Sequence, residues 1–209
     1  MSIVARISRH FRQRRMRRFA ELMGVDEETR ILDVGGSPDT WRLLPFTPRV
    51  TLLNIPMSIE HRDRDFHWVA GDGCALPFAS ASFDIVFSNS VIEHVGDAAR
   101  QRAFAQETMR VGRRYFVQTP NAGFPVEQHL FMPFLHWLPN ALQRKIVERF
   151  TVWERVARPR PDQREFYLRH YLDDVRLLRG RGLRALFPGA QLRKERVLGI
   201  AKSLIAIGR

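Results

Sequence analysis

Short apolar segments alternate with helical ones over residues 30 to 120, and this alternation limits the fold more than any other feature. The pattern predicts strands at residues 30–35, 50–55, 67–70, 83–88 and 114–119, and a helix at 97–109. Strands joined through helices form a parallel sheet with helices on both faces. We therefore expect an α/β fold with a Rossmann-like doubly wound sheet, which binds its ligand at the carboxyl ends of the strands.

Residues 121–165 interrupt this alternation after the fifth strand. They contain five of the twelve prolines and a cluster of large aromatic side chains. Helices are predicted at residues 140–154 and 167–179, the second ending at Gly180 and Gly182, followed by closing strands at 191–198 and 201–207, the last of them antiparallel. Loops at the carboxyl edge of such a sheet form the substrate pocket, so residues 121–165 are expected to be a helical and loop insert, a substrate-side lid.

The first 23 residues predict a basic amphipathic helix ahead of a domain at residues 24–209. Ile3, Ile7 and Phe11 recur at helical spacing, and seven arginines fill the remaining surface. Two interpretations remain open. The helix packs its apolar stripe on the domain, or it lies on an anionic membrane surface.

Where the charge lies is more informative than its sum. The 209 residues carry a net charge of +12, but residues 24–120 have a net charge of −3 and the first 23 residues one of +6. The basic ends and insert therefore favour anionic partners, whereas the strand region suits a cationic ligand. The single cysteine, Cys74, excludes an internal disulfide, and no apolar run is long enough to span a bilayer. We expect a cytoplasmic protein, with membrane-surface association through the helix as the alternative.

Two kinds of motif mark the strand ends. The first strand ends at Asp33 and turns through Gly35 and Gly36, where the lack of side chains lets a ligand approach the backbone. Further along, GDGCALPF at residues 71–78 precedes SFDIVFSNSVIEH at residues 82–94. Together these segments resemble the class I S-adenosylmethionine-dependent methyltransferases, in particular the small single-domain type 11 group. The resemblance covers roughly residues 30–121.

The resemblance implies S-adenosylmethionine as the cofactor and a place for each of its parts. The glycine turn would hold the methionine end of the cofactor, and the end of the second strand would hold the ribose. Asp72 would accept a hydrogen bond from the adenine amine, and the end of the fourth strand would lie beside the sulfonium. The implied cofactor-binding residues are Asp33, Gly35, Gly36, Ser37, Asn54, Ile55, Asp72, Gly73, Cys74, Ser88 and Asn89.

The chain departs from the family pattern at two places. Ser37 and Asp39 stand where later glycines of the first motif are usual, and Asn54 stands where an acidic residue usually takes both ribose hydroxyls. An asparagine can bind a hydroxyl but lacks the charge-assisted pair of bonds. These departures keep open a non-catalytic cofactor-binding protein with the same fold.

Three residues are candidates for acid–base work on the acceptor. A sulfonium methyl is already activated, so catalysis needs in-line positioning and, for a hydroxyl acceptor, a base. His94 and the pair Glu127 and His129 are the candidates, with helix capping for His94 and loop anchoring for the pair as the structural alternatives. No two histidines have the spacing of a helical metal site and cysteine pairs are absent, so no metal is expected.

The expected function is methyl transfer to a small-molecule, glycan or lipid-linked acceptor, at an oxygen atom. The apolar run at residues 129–139 serves either as a lid on the domain's own core or as a surface for a lipid-linked acceptor. A nucleic-acid methyltransferase is the alternative that the basic ends suggest. It is disfavoured because the chain has no RNA-recognition or OB-fold signature and no DPPY-like tetrapeptide.

Overall fold

The predicted alternation of strands and helices is present in the structure, a computed structural model that describes residues 3–56 and 63–209, with side chains from residue 10 onward. In chain order the elements are α1 (Ile3–Met23), β1 (Arg30–Val34), α2 (Pro38–Trp41), β2 (Arg49–Asn54), β3 (His67–Ala70), β4 (Phe83–Asn89), α3 (Ala98–Val111), β5 (Gly112–Pro120), β6 (Val126–Glu127), β7 (Met132–Pro133), α4 (Asn140–Arg149), α5 (Val152–Ala157), α6 (Pro161–Asp174), α7 (Gly180–Leu186), β8 (Gln191–Val197) and β9 (Ile200–Gly208).

The main sheet has the strand order β3-β2-β1-β4-β5-β9-β8. Strands β1, β2, β3 and β4 pair in parallel, with Val34 opposite both Leu53 and Ser88, and Asn54 opposite Ala70. The antiparallel pairing is confined to the last strands, which confirms the predicted Rossmann-like class. This register brings the carboxyl ends of the first four strands to one edge. The order in which strands are added to the sheet reverses between β1 and β4, which makes this position the topological switch point.

The chain divides into two compact units. The first consists of Met1–Asn89, Ala103–Val117 and Ile207–Arg209, and the second of Ser90–Arg102 and Gln118–Ala206. All eleven predicted cofactor residues belong to the first unit, and the three acid–base candidates belong to the second.

Aromatic side chains form the centre of the first unit. Phe19, Trp41 and Phe87 are fully buried and Phe116 is 1% exposed. Phe19 lies edge-on to the other three rings at centroid distances of 4.8 to 6.0 Å, an arrangement that aromatic pairs favour. Because Phe19 belongs to α1, the carboxyl-terminal half of that helix packs into this core, whereas Ile3 and Ile7 of the proposed stripe lie outside the described side chains.

The second unit has a separate apolar core. Leu130, Leu135, Val147, Leu168 and Tyr171 are buried together, and they come from the segment between β6 and the end of α6. The predicted end of the insert at residue 165 lies within α6.

Two helix predictions in this region are wrong in their boundaries. The helix predicted at 140–154 ends at Arg149, because Phe150 is extended and the Thr151 hydroxyl caps a new helix by accepting from the backbone N–H of Glu154. The helix predicted at 167–179 instead runs from Pro161 to Asp174, since proline is well suited to the first helical position. Gly180 begins a helix rather than ending one.

None of the helices in the described residues combines the length and the apolar character needed to cross a membrane.

Candidate functional site

The loops that follow β1 and β2 are fixed by backbone hydrogen bonds that continue the sheet. The Gly35 N–H donates to the Leu53 carbonyl at 2.8 Å, and the Gly71 N–H donates to the Asn54 carbonyl at 2.9 Å. The glycine turn, Asn54 and the segment from Gly71 therefore begin at the same edge of the first unit's sheet. The structure brings together the three parts of the predicted cofactor site that follow β1, β2 and β3.

Asp33 supports the glycine turn from below. Its carboxyl group is completely buried, and Oδ2 accepts a hydrogen bond from the Trp41 indole at 2.8 Å, while Oδ1 has no hydrogen-bond partner among the described residues. A Cβ atom on Gly36 would lie 1.7 Å from Oδ2, so the backbone at this position rests directly on the carboxyl group. Burial raises the pKa of Asp33 to about 7, although the Trp41 bond acts in the opposite direction.

The unusual Ser37 and Asp39 fit the turn because of its backbone conformation. Gly35 is the residue of this turn with positive φ, at 75°. Ser37 is extended at a φ of −138°, and Asp39 lies in the short helix α2, conformations that any residue adopts. Asn54 adds to the turn, because its side-chain amide donates to the Gly36 carbonyl at 3.0 Å. The departures from the glycine pattern therefore leave the turn's shape intact.

Asp72 organises the loop after β3. Its Oδ1 accepts from the Cys74 N–H at 2.9 Å, and its carbonyl accepts from the Ala75 N–H at 3.0 Å. Gly73 leaves no room for a side chain, since a Cβ would lie 2.9 Å from Val34 and 3.0 Å from Phe104. The loop therefore approaches the end of β1 closely, as a binding wall must.

Two residues that the sequence analysis missed hold the next part of this loop. Glu107 accepts from the Leu76 N–H at 2.7 Å, and Arg110 donates to the carbonyls of Leu76 and Phe78 at 3.0 and 2.7 Å. Both side chains are on α3. A charged pair three residues apart on a helix is usually solvated, so the sequence carried no signal for this role.

At the end of β4, Ser88 and Asn89 have different surroundings. Ser88 is buried and donates to the Val34 carbonyl at 3.3 Å, so its hydroxyl joins two strands. Asn89 is partly buried, and its side-chain oxygen accepts a hydrogen bond from Arg15 of α1. Arg15 was missed because the sequence analysis treated the first 23 residues as a separate helix. Ile55, also predicted to contact the cofactor, is 55% exposed.

The raised pKa of Asp33 predicts a pH-dependent stability. Between its ordinary pKa of 3.8 and about 7, the folded protein keeps a proton that the unfolded chain releases. The free energy of unfolding should therefore fall by about 2–4 kcal/mol as the pH rises through this range. Asparagine does not ionise, so Asp33→Asn should remove this fall. Urea unfolding between pH 4.5 and 8 measures it, with exposed Asp39→Asn as the control. Parallel pH profiles for wild type and Asp33→Asn would contradict this assignment.

In the second unit, Glu127 fixes the orientation of His129. Its Oε1 lies 2.6 Å from His129 Nδ1, and its Oε2 accepts from the backbone N–H groups of His129 and Leu130 at 2.9 and 2.6 Å. Glu127 is 1% exposed. These contacts are those of a loop anchor, the structural alternative for this pair, and the Nδ1–H of His129 is directed to the carboxylate.

His129 and His94 meet through their other ring nitrogens. The two Nε2 atoms are 3.2 Å apart, although the residues are separated by 35 positions in the chain. Burial, followed by the charge of His129, lowers the pKa of His94 to about 4. Burial also lowers the pKa of His129, but the hydrogen bond and charge of Glu127 outweigh it, so the pKa is raised.

Glu93 completes this group and was missed, although it stands next to His94 in the quoted motif. It is fully buried; Oε2 accepts from the Thr119 hydroxyl at 3.0 Å, and Oε1 lies 3.9 Å from His94 Nε2. The alternative capping role of His94 is not seen, because the side chain of Asp97 accepts from the first N–H groups of α3. His94 instead stacks on His170 at 5.2 Å.

Part of the chain is similar to known methyltransferases. Residues 50–114 match the family model described as "Methyltransferase domain". The biotin biosynthesis bifunctional protein BioHC of Cellvibrio japonicus is 34% identical over 111 residues, which are 48% of this chain and 22% of that protein. The chain thus matches only about a fifth of the length of this curated relative.

Two solved structures share the fold. One is the complex of the Haloferax volcanii methyltransferase activator Trm112 with its partner, at 16% identity and a TM-score of 0.57, covering 96% of this chain and 89% of that one. The other is phosphoethanolamine N-methyltransferase 2 of Haemonchus contortus with phosphomonomethylethanolamine and S-adenosylhomocysteine, at 14% identity and a TM-score of 0.52, covering 87% and 38%. The family match over residues 50–114 and the strand order support a class I S-adenosylmethionine-dependent methyltransferase.

Proposed function

We propose that the chain transfers a methyl group from S-adenosylmethionine to an oxygen atom of a small-molecule, glycan or lipid-linked acceptor. The observation that carries the proposal is the first unit's strand edge, where Asp33 and Asn54 lie at the ends of β1 and β2 and Asp72 follows β3, beside glycines that have no room for side chains. The match of residues 50–114 to a methyltransferase-domain model supports the same reaction.

The residues at this edge suit S-adenosylmethionine chemically. The cofactor carries an ammonium group, a sulfonium, two ribose hydroxyls and an adenine amine, so it needs acceptors and a backbone that it can approach. The buried Oδ1 of Asp33, which has no hydrogen-bond partner in the part of the chain that the structure describes, and the crowded Gly36 and Gly73 provide those features. Asn54 retains its amide oxygen as an acceptor while its amide nitrogen holds the turn.

In this assignment the turn from Gly35 to Ser37 holds the methionine end of the cofactor. Asn54 and Ile55 contact the ribose. The adenine lies against Asp72, Gly73 and Cys74. Ser88 and Asn89 belong to the sulfonium side of the site. Ser88 has an indirect role there, because its hydroxyl holds the Val34 carbonyl at the end of β1. When bound, the cofactor supplies a methyl group on a sulfonium, which a nucleophile takes by in-line displacement. The protein's contribution is therefore mainly to orient the two reactants.

The acceptor-side groups are assigned to the second unit. His94 and His129 are the catalytic candidates, and Glu127 is a positioning residue because it acts through the His129 ring. An imidazole of His94 or His129 takes the acceptor's hydroxyl proton as the new O–CH₃ bond forms, and the S–CH₃ bond breaks with its electron pair remaining on sulfur. A carboxylate-oriented imidazole suits such a site, since its orientation is fixed before the acceptor binds.

The acceptor class is supported by a cavity within the second unit. It has a volume of about 540 Å³, and Trp137, Asn140, Gln143, Arg176 and Arg179 are among the residues that line it. An aromatic ring beside amides and guanidinium groups suits a hydroxyl-rich acceptor with an anionic group.

Exposed apolar and basic side chains support a lipid-linked acceptor and contact with an anionic membrane surface. Phe134 and Trp137 are about half exposed. Arg14, Arg17 and Arg18 of α1 are exposed as well.

The test is transfer of labelled methyl from S-adenosylmethionine in a cell extract incubated with the full-length chain. The extract is then separated into lipid, water-soluble glycan and small-molecule, and nucleic-acid fractions. We expect label in the lipid or glycan and small-molecule fractions, lost with His129→Ala and retained with His67→Ala. Label confined to nucleic acid would contradict the acceptor class, and cofactor binding without transfer to any fraction would indicate a non-catalytic binding protein.

A further inference from the structure

The arrangement of the two histidine rings in the second unit has the form of a chelating pair. Their Nε2 atoms are 3.2 Å apart, and two nitrogens bound at tetrahedral angles to one zinc ion lie about 3.3 Å apart when each Zn–N bond is about 2.0–2.1 Å. The ring centroids are 5.0 Å apart with an interplanar angle of 84°. A straight hydrogen bond of this length between two ring edges would hold the centroids farther apart, so the two rings are not aligned along the line that joins their Nε2 atoms, as a shared ligand between them requires.

Glu127 gives one of these rings the support that a metal ligand usually has. Metal-binding histidines commonly donate their second ring nitrogen to a carboxylate, which fixes the ring and makes the ligating nitrogen more basic. The 2.6 Å contact from His129 Nδ1 to Glu127 does this, and Glu127 is itself fixed by two backbone N–H groups. The Nε2 lone pair of His129 is therefore available toward His94.

A carboxylate oxygen of Glu93 lies near the two ring nitrogens. One ligand atom from each of Glu93, His94 and His129 falls within a 4.8 Å group. Thr119 holds the other oxygen of the fully buried Glu93 carboxylate. A buried carboxylate next to two imidazoles is a costly arrangement for folding alone, and a cation between them would offset that cost.

We infer that Glu93, His94 and His129 form a binding site for a divalent transition-metal ion, with Glu127 as the positioning residue. Two imidazoles and one carboxylate suit zinc, cobalt or nickel, and three protein ligands leave one position for another ligand. The side chain of His94 is 25% exposed, so that position can be reached from solvent. The expectation that no metal binds depended on spacing along the chain, whereas these ligands come from two loops 35 residues apart.

The site itself does not depend on methyl transfer, but its role rests on the proposed function. A bound divalent ion would take the acceptor's hydroxyl oxygen as its fourth ligand and lower the pKa of that hydroxyl, in the same way that zinc lowers the pKa of bound water. The proton is then released to solvent, and the resulting alkoxide forms the O–CH₃ bond. In this role the histidines are ligands, and neither one has to take up a proton.

The experiment is equilibrium dialysis of the chelator-treated full-length chain against Zn²⁺ or Co²⁺ alone, without cofactor. We expect one ion per chain, a visible Co²⁺ absorption that Zn²⁺ abolishes, and affinity at least about tenfold weaker in His94→Ala, His129→Ala and Glu127→Gln. His67→Ala removes an exposed histidine of β3 and should bind as the wild type does.

The variants are compared with wild type by circular dichroism before dialysis. If a histidine variant fails to fold, Glu93→Gln, which changes the charge and not the shape, replaces it and should also weaken binding at least about tenfold. No uptake by the wild type, or equal uptake by the wild type and these variants, would overturn the metal site. Because no cofactor is present, that failure would leave S-adenosylmethionine binding by the first unit unaffected.

Discussion

Gly36→Ala should weaken S-adenosylmethionine binding by about 30-fold or more, the equivalent of about 2 kcal/mol. The added Cβ would lie 1.7 Å from Asp33 Oδ2. The carboxyl group cannot turn outward, because it is fully buried and bonded to Trp41. The turn must therefore move away from β1, which also removes the Gly36 carbonyl from Asn54. Calorimetric titration with S-adenosylmethionine measures the loss.

Gly180→Ala is the matched control for this change. Nothing lies within 4 Å of a Cβ at Gly180, and its φ is not positive, so the substitution should leave cofactor affinity within about twofold of wild type. Far-UV circular dichroism of both variants confirms that the fold is retained before titration. Equal affinity of Gly36→Ala and wild type would show that the turn after β1 does not contact the cofactor.

Glu127→Ala should lower the free energy of unfolding by about 3–5 kcal/mol, because several buried donors would each lose a partner at about 1–3 kcal/mol. Three hydrogen bonds end on this carboxylate, from the His129 ring and from the backbone N–H groups of His129 and Leu130. Alanine would leave these donors buried and unpartnered, next to the apolar core that contains Leu130. Urea unfolding followed by circular dichroism measures the change.

Two further variants make this prediction specific. Glu148→Ala, at an exposed position of α4, should change the free energy of unfolding by no more than about 0.5 kcal/mol. Glu127→Gln keeps an oxygen for the backbone donors and should cost about half as much as Glu127→Ala. If Glu127→Ala is no more destabilising than Glu148→Ala, Glu127 does not anchor the loop.

The sheet and its ligand-binding edge could be predicted because they depend on local signals. Apolar segments of strand length between helices give the parallel sheet, and Gly35 supplies a positive φ that other residues rarely adopt. Gly73 was identified within a motif, and the structure explains it by the closeness of Val34 and Phe104. These features are set within a few residues of the chain or by the family's motifs.

The supporting contacts could not be predicted because they join distant residues. Trp41 holds Asp33 across eight positions, Thr119 holds Glu93 across 26, and His129 meets His94 across 35. The helix boundaries near residue 150 failed for a related reason. A threonine cap ended the predicted helix, although the residues on either side favour helix.

The central claim is that the first unit's strand edge binds S-adenosylmethionine, and titration calorimetry of the purified full-length chain tests it most directly. We expect saturable heat with one cofactor per chain, competition by S-adenosylhomocysteine, and no binding of NAD⁺ under the same conditions. Neither heat nor a thermal shift at millimolar S-adenosylmethionine would contradict it.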